Sequence, residues 1–199
     1  EVHHLSGSFT QGLNEASLFQ DRYSIRTASQ WLGPVLEDLS LANSQITIEL
    51  NSATDNSLID ASIPQPRLVH AGNFQAKAIT SAVEKIRQSA QSMGRILFAQ
   101  CIELINAATS RGLPRILLAA EASESFITKG TDILVVSLVS ELGFHSNPVA
   151  SHVQAAEIDN QAVNLLALIS AHYTLDSPEM QSQLSTAHFV AVCQVLGPK

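Results

Sequence analysis

Along most of this chain, apolar residues recur at alternating intervals of three and four, the spacing that keeps them on one face of an α-helix. The clearest run lies within 74–110. There Ile79, Val83, Ile86, Ala90, Met93, Leu97, Cys101 and Leu104 form a stripe, and Glu84, Lys85, Arg87 and Arg95 fall off it. The stripe predicts a long helix with ordinary core packing, which gives Met93 no special role. Gly112 and Pro114 mark its stop, because glycine accepts the left-handed residue after a helix and proline cannot continue one. A second helix is predicted over 29–51, broken near Gly33-Pro34. Over 130–142 the residues Ile133, Leu134, Val135, Val136, Leu138 and Val139 are apolar almost all round. β-propensity alone allows a buried strand there, but the helical neighbours favour a fully enclosed helix. Two more helices are predicted over 160–173 and 178–195. Segments 55–73 and 111–129, which hold Pro64, Pro66, Gly72 and Pro114, read as loops. No repeat interrupts the pattern. It describes an all-α bundle of long antiparallel helices, one helical domain over 20–199 behind a mobile segment 1–20. Long helices joined by long loops are marginal alone, so a homo-oligomer is expected.

Composition narrows the function classes. With 199 residues and 45% hydrophobic content, the chain can bury one sizeable core without disulfides or metals. Charged residues make up only 15%, which hints that partner chains cover some helix faces. A formal charge of -7 and 11 scattered basic residues argue against nucleic-acid binding, which needs clustered cations to meet phosphates. Cys101 and Cys193 both have apolar neighbours and read as two buried thiols in a reducing, cytoplasmic compartment, with a disulfide left open. No Cys/His spacing suggests a metal site. No apolar run approaches the roughly 18 residues of a membrane helix. The start, Glu1-Val2-His3-His4, lacks the features of a signal peptide, and its want of Met points to processing, a fragment or a sequence read from the protein itself. His70 and His152 read as structural positions, and Glu37-Asp38 as a solvated helix face. No nucleophile elbow or phosphate loop is present.

Several segments resemble one enzyme family. Gln20-Asp21-Arg22-Tyr23-Ser24-Ile25-Arg26-Thr27, followed by Gln30-Trp31-Leu32-Gly33-Pro34, is similar to a long stretch of phenylalanine ammonia-lyases. In the family's order come Thr54-Asp55-Asn56 with Leu58-Ile59-Asp60, then Gly72-Asn73-Phe74-Gln75, then Arg111-Gly112-Leu113-Pro114. His152-Val153-Gln154, Glu157 and Asn160-Gln161-Ala162-Val163-Asn164 complete the set. The chain thus resembles the C-terminal half of the phenylalanine/histidine ammonia-lyase family, closest in flavour to fungal members. The resemblance implies the helical core of those enzymes, with subunits paired through helix bundles, a dimer favoured over a tetramer, and active sites shared between subunits. It implies that Arg26 holds a substrate carboxylate, with Tyr23 and Asn56 near the reacting end. Phe74 would pack the aromatic ring, and Glu157 and Gln161 would meet the amine or the cofactor.

The same resemblance implies a methylidene-imidazolone electrophile made from Ala-Ser-Gly, and a tyrosine on a lid loop. The 199 residues hold no Ala-Ser-Gly, so the isolated chain is expected not to be a lyase, with no cofactor of its own. Ser57 and Ala155 replace family prolines, Ala28-Ser29 lacks one, and Ala71 replaces a glycine. Phe126-Ile127-Thr128-Lys129-Gly130 departs from the family's motif as well. These changes are expected to relax loops that a working site would hold. Three functions follow as expectations. The first is a non-catalytic protein binding an aromatic small molecule such as a pigment, lined by Trp31, Phe74 and Phe126 with Arg26 as anchor. The second is a fragment or subunit of a phenylalanine ammonia-lyase, converting phenylalanine to cinnamate with a partner chain that carries the electrophile. The third is a ligand-free structural or storage bundle.

Overall fold

The structure is a computed structural model that describes residues 20–114, 117, 128–152 and 154–196. The expected mobile segment lies almost wholly outside these residues, and so does Phe126. The elements in chain order are α1 (Tyr23–Arg26), α2 (Ala28–Leu50), β1 (Leu58–Asp60), β2 (Arg67–Val69) and α3 (Lys77–Ile105), followed by α4 (Thr131–His145), β3 (Gln154–Ala156), β4 (Gln161–Asn164) and α5 (Ala167–Leu196). Each pair of strands forms one short antiparallel hairpin. Everything else of length is helix, so the all-α bundle expected from periodicity is the architecture observed.

Side-chain pairs fix how the helices run. Trp31 Nε1 donates to the Ser92 carbonyl at 2.7 Å, Lys85 reaches Gln45, and Asn73 donates to Glu49. Residue numbers rise on α2 as they fall along α3, so the two are antiparallel. Gly94 lies against Leu142, and Arg87 donates to the Asn147 carbonyl, which makes α4 antiparallel to α3. Arg87 also meets Ser170 and Thr174, and Gly94 lies against Leu184. Consecutive long helices therefore alternate in direction, and α5 returns parallel to α3.

Helix α3 is the central element, with α2 on one side and α4 with α5 on the other. That position explains a departure from the predicted stripe. A helix covered on two sides buries more than one face. Val83, Ala90 and Cys101 are buried, but so are Thr80, Ser89, Gly94 and Arg87, whereas Ile79, Ile86, Met93, Leu97 and Leu104 are only partly so. Arg87, expected off the apolar face, is 0% exposed. The core proper gathers Ala90, Cys101 and Ile105 of α3, Val135, Leu138 and Leu142 of α4, and Met180 and Leu184 of α5.

Several predicted boundaries are corrected. Helix α2 does not break at Gly33-Pro34; Pro34 is its seventh residue. The lost hydrogen bond is that of the Gln30 carbonyl, on an exposed residue that water can reach, and Gly33 carries no Cβ to clash with the proline ring. Helix α3 is shorter than 74–110, starting after a turn that places Ala76 at φ 48°. Helix α4 is a helix as expected, but not a fully enclosed one. Val135, Leu138 and Leu142 are buried, while Ile133, Leu134, Val136 and Phe144 are exposed. The last two predicted helices are one, running through Pro178, and the stretch 161–164 at the expected helix start is strand β4. Helix α5 tolerates the proline because the preceding turn is held from outside by Arg87 and within by Ser177, whose hydroxyl donates to the Tyr173 carbonyl. The 55–73 loop contains the first hairpin. Of the two thiols expected to be buried, Cys101 is and Cys193 is exposed; both are free. Among the described residues, no helix is long and apolar enough to cross a membrane.

Candidate functional site

Two hairpins frame the N-terminal end of α3 and build a polar cavity there. The first pairs Leu58 with Val69, Ile59 with Leu68 and Asp60 with Arg67. Its far end is braced by an exposed Arg67–Asp60 ion pair at 3.7 Å. Ser62 donates to Asp60 through its hydroxyl and its amide, which holds that carboxyl below its ordinary pKa. At the open end Ser57 Oγ meets His70 Nδ1 at 3.1 Å. Antiparallel pairing thus brings the residues flanking the hairpin, Asn56 and Gly72, side by side. The glycine is required by close approach: a Cβ on Gly72 would lie 3.0 Å from Phe74 Cε2 and 3.7 Å from Asn56 Cβ.

The second hairpin supplies the opposite wall. At its turn Glu157, Ile158 and Asp159 all have positive φ, at 52°, 53° and 63°. Each such residue costs about 1–2 kcal/mol when it carries a Cβ, so three in succession mark a site where geometry outweighs local preference. The turn closes through the Asn160 amide donating to the Glu157 carbonyl. Asn160 Nδ2 and Gln161 Nε2 donate to Glu157 Oε2 at 3.0 and 3.2 Å. Among the described residues Glu157 Oε1 takes no hydrogen bond, so one carboxylate oxygen is fixed and the other is available.

The resulting cavity has a volume of about 490 Å3 and is lined by Asn56, Gly72, Phe74, Gln75, Glu157, Asn160, Gln161 and Asn164, among others. That volume lies within the roughly 300–1,000 Å3 usual for small-molecule sites. Amides and one carboxylate around a half-exposed aromatic ring suit a ligand with an ammonium group and an apolar body. The turns form despite Ser57, Ala71 and Ala155. Four of the residues singled out by sequence meet here: Asn56, Phe74, Glu157 and Gln161. Sequence reasoning did not single out Gln75 and Asn164 for the site; their place inside two short matched motifs was the only available signal.

The other candidates lie elsewhere. Arg26 stacks over the Tyr23 ring, 4.9 Å from its centroid, and both side chains are exposed. Their helix is fastened to the far end of α3, where Ser24 Oγ donates to Glu103 at 2.7 Å and Gln100 donates to the Ser24 carbonyl. From Lys77 to Glu103, at 1.5 Å per residue, the helix rises ~40 Å. Within one chain, Arg26 and Phe74 therefore cannot touch the same small molecule. Trp31, hydrogen-bonded to Ser92 midway along α3, joins α2 to α3 and lines neither end. Beside Tyr23 and Arg26 is a second cavity of about 510 Å3, lined by Arg22, Ile25, Leu104, Leu113, His188 and Val192 among others. Burial lowers the His188 pKa. No group of residues suited to a metal ion occurs among the described residues.

The family model described as aromatic amino acid lyase matches residues 2–198. A phenylalanine ammonia-lyase of Aspergillus hancockii is 50% identical over 92% of this chain and 26% of its own length. Phenylalanine ammonia-lyase 2 of Pleurotus ostreatus is 47% identical over 98% of this chain and 26% of its own. Among solved structures, the phenylalanine ammonia-lyase of the yeast Rhododporidium toruloides superposes with a TM-score of 0.83 at 46% identity. It covers 92% of this chain, which spans 27% of that one. Histidine ammonia-lyase of Trypanosoma cruzi superposes with a TM-score of 0.81 at 25% identity, over 89% of this chain and 34% of that one. The chain thus spans about a quarter of the length of the curated relatives it matches. By sequence and by fold, the chain belongs to the aromatic amino acid lyase family.

Proposed function

We propose that this chain is the substrate-holding part of an ammonia-lyase acting on phenylalanine or a close aromatic amino acid, in a site assembled from more than one copy. The observation that carries this is the separation of the matched residues to opposite ends of α3, with each end left open. A self-contained aromatic-binding site anchored by Arg26 and walled by Phe74 would need both at one end. Two copies laid antiparallel bring the Tyr23–Arg26 end of each against the hairpin cavity of the other, and a two-fold axis makes two equal sites. Exposed apolar residues on the outer faces supply the contact surface: Leu36, Leu41 and Ile48 on α2, Ile133 and Val136 on α4, and Leu168, Leu175 and Phe189 on α5.

In this arrangement each side chain has a task its chemistry suits. The Arg26 guanidinium presents a planar fork to the two oxygens of the substrate carboxylate. Phe74 packs against the aromatic ring. Glu157 Oε1 receives the ammonium group, while Gln161 and Asn160 hold the other oxygen in place. Asn56, beside Gly72, faces the same volume. The methylidene-imidazolone of the family activates the substrate by accepting electrons. No Ala-Ser-Gly is present in these residues, so that group cannot form from them.

Mixing single variants tests the reading. Arg26→Ala and Glu157→Ala copies, each inactive alone, should regain L-phenylalanine deamination when co-assembled with the electrophile-bearing component. If the wild type is active and the mixture is not, the two residues do not meet across copies. If no assembly of the wild type releases cinnamate, the lyase reading falls and the aromatic-binding one returns.

A further inference from the structure

The hairpin that carries Glu157 and Gln161 has little means of holding its own position. Its two strands are three and four residues long, and their register is irregular between Gln154 and Ala156. Ile158 at its tip is 101% exposed and Val163 is exposed as well. A two-stranded hairpin without a buried face is at best marginally stable. Yet its carboxylate must sit opposite Phe74 for the cavity to exist.

The hairpin's two stems, taken as 147–150 before it and the first turns of α5 after it, are fastened to the same short length of α3. On the entering side, Glu84 Oε1 accepts the amides of Val149 and, at 2.7 Å, Ala150. Arg87 Nη2 donates to the Asn147 carbonyl at 3.3 Å. The amide of His152 closes a turn on the Val149 carbonyl, and β3 begins two residues later. On the leaving side, three residues after Asn164, α5 begins. Arg87 Nη1 donates to the carbonyl and the hydroxyl of Ser170, each at 2.6 Å, and to Thr174 Oγ1 at 3.1 Å. The two side chains face each other, with Arg87 Nη2 3.8 Å from Glu84 Oε1. Core packing does not explain them, because an aliphatic pair would fill the space without desolvating charge. What they do is gather oxygen and amide groups from the segments on both sides of one hairpin. Helix α3 begins three residues after Phe74, so the clamp and the opposite wall of the cavity share one rigid support.

We propose that Glu84 and Arg87 are positioning residues, a two-point clamp that sets the β3–β4 hairpin, and with it Glu157 and Gln161, against Phe74 and Asn56. The proposal deepens the lyase reading, on which its catalytic consequence rests. The positional claim stands without it.

Hydrogen exchange on the protein in its native assembly separates the two. In Glu84→Leu, amides of 154–164 should exchange about tenfold faster, through local opening that leaves 58–69 and the α3 amides unchanged. Glu84→Gln keeps an acceptor for the Val149 and Ala150 amides and should restore most of the protection. If Glu84→Leu fails to fold, Arg87→Lys makes the same comparison, since an ammonium cannot serve both stems at once. In wild type active on L-phenylalanine, Glu84→Leu should lose on the order of 100-fold in kcat, as displacements near 1 Å do. Glu84→Gln should recover it. Unchanged exchange at 154–164, or an equal rise throughout α3, overturns the clamp. Faster exchange at 154–164 with no turnover in the wild type upholds the clamp and removes only the lyase reading.

Discussion

At the scale of single residues, geometry around Phe74 and the thiols makes the sharpest statements. Gly72 leaves little room for a Cβ, because that atom would meet the Phe74 ring at 3.0 and 3.2 Å. In Gly72→Ala the Phe74 ring must therefore give way by a few tenths of an ångström, which displaces it at the cavity wall. If the proposed lyase reading holds, the substitution should raise KM for L-phenylalanine about tenfold, the cost of roughly 1.4 kcal/mol in lost packing, with the melting temperature unchanged. Steady-state kinetics beside a thermal melt checks this. The cysteines give a pH prediction. Burial, with a smaller contribution from the charge of Asp132, pushes the Cys101 thiol up to about 11 from 9.0. The unfolded thiol ionises first, so stability should fall as pH rises from about 9 and level off beyond about 11. At pH 8 a thiol reagent should modify Cys193 alone, and Cys101 only after denaturant is added. Two equally fast thiols in the native protein would contradict this burial.

Among the elements, the meeting of α3, α4 and α5 is the tightest point. A Cβ on Gly94 would lie 2.9 Å from Leu142 Cδ1 and 3.3 Å from Leu184 Cδ2. Both leucines are buried and cannot swing into solvent. Gly94→Ala gains helix propensity, but it overpacks the crossing, and we expect a net loss of about 1–3 kcal/mol. Urea unfolding should show a lower midpoint at the same slope. A rise in the midpoint would mean that the crossing is looser than these distances say. The hairpins are elements of another kind. They are short and exposed: the first is closed at its own open end by Ser57 and His70, and the second is flanked by segments that Glu84 and Arg87 hold from α3.

For the whole molecule, the pattern of exposure is the guide. Apolar side chains are exposed on the outer faces of α2, α4 and α5, the faces through which the proposed copies would meet. Charging such a face should separate the copies. In Phe189→Lys, buried charge at the contact should shift the protein to smaller species in sedimentation velocity and abolish activity while α-helical content remains. A change in neither would move the contact to other faces. The polar cavity lies at one end of α3 and the Arg26–Tyr23 pair at the other; in the proposed assembly a second copy brings these two halves together.

The sequence by itself determined the helices, because three-four periodicity is local and repeats over many turns. It determined the family too, because Gln20 to Pro34 and the Gly72 turn are long and chemically unusual. It also named Asn56, Phe74, Glu157 and Gln161, which lie together although about a hundred residues separate the first from the last. Tertiary structure alone decided the rest. Arg87 falls off the apolar stripe in sequence and is buried in space, because one periodic stripe cannot tell that α3 is covered on two sides. Proline marked breaks in α2 and α5 that did not occur, since local strain is outweighed where water can reach the freed carbonyl, as at Gln30, or where a neighbouring helix holds the preceding turn, as Arg87 does at Ser170 and Thr174. Cys193 has apolar neighbours in sequence and solvent in space, for adjacent residues on a helix point in different directions. The distance between Arg26 and Phe74 is likewise invisible in their motifs. It is set by the length of the helix to which both are fastened.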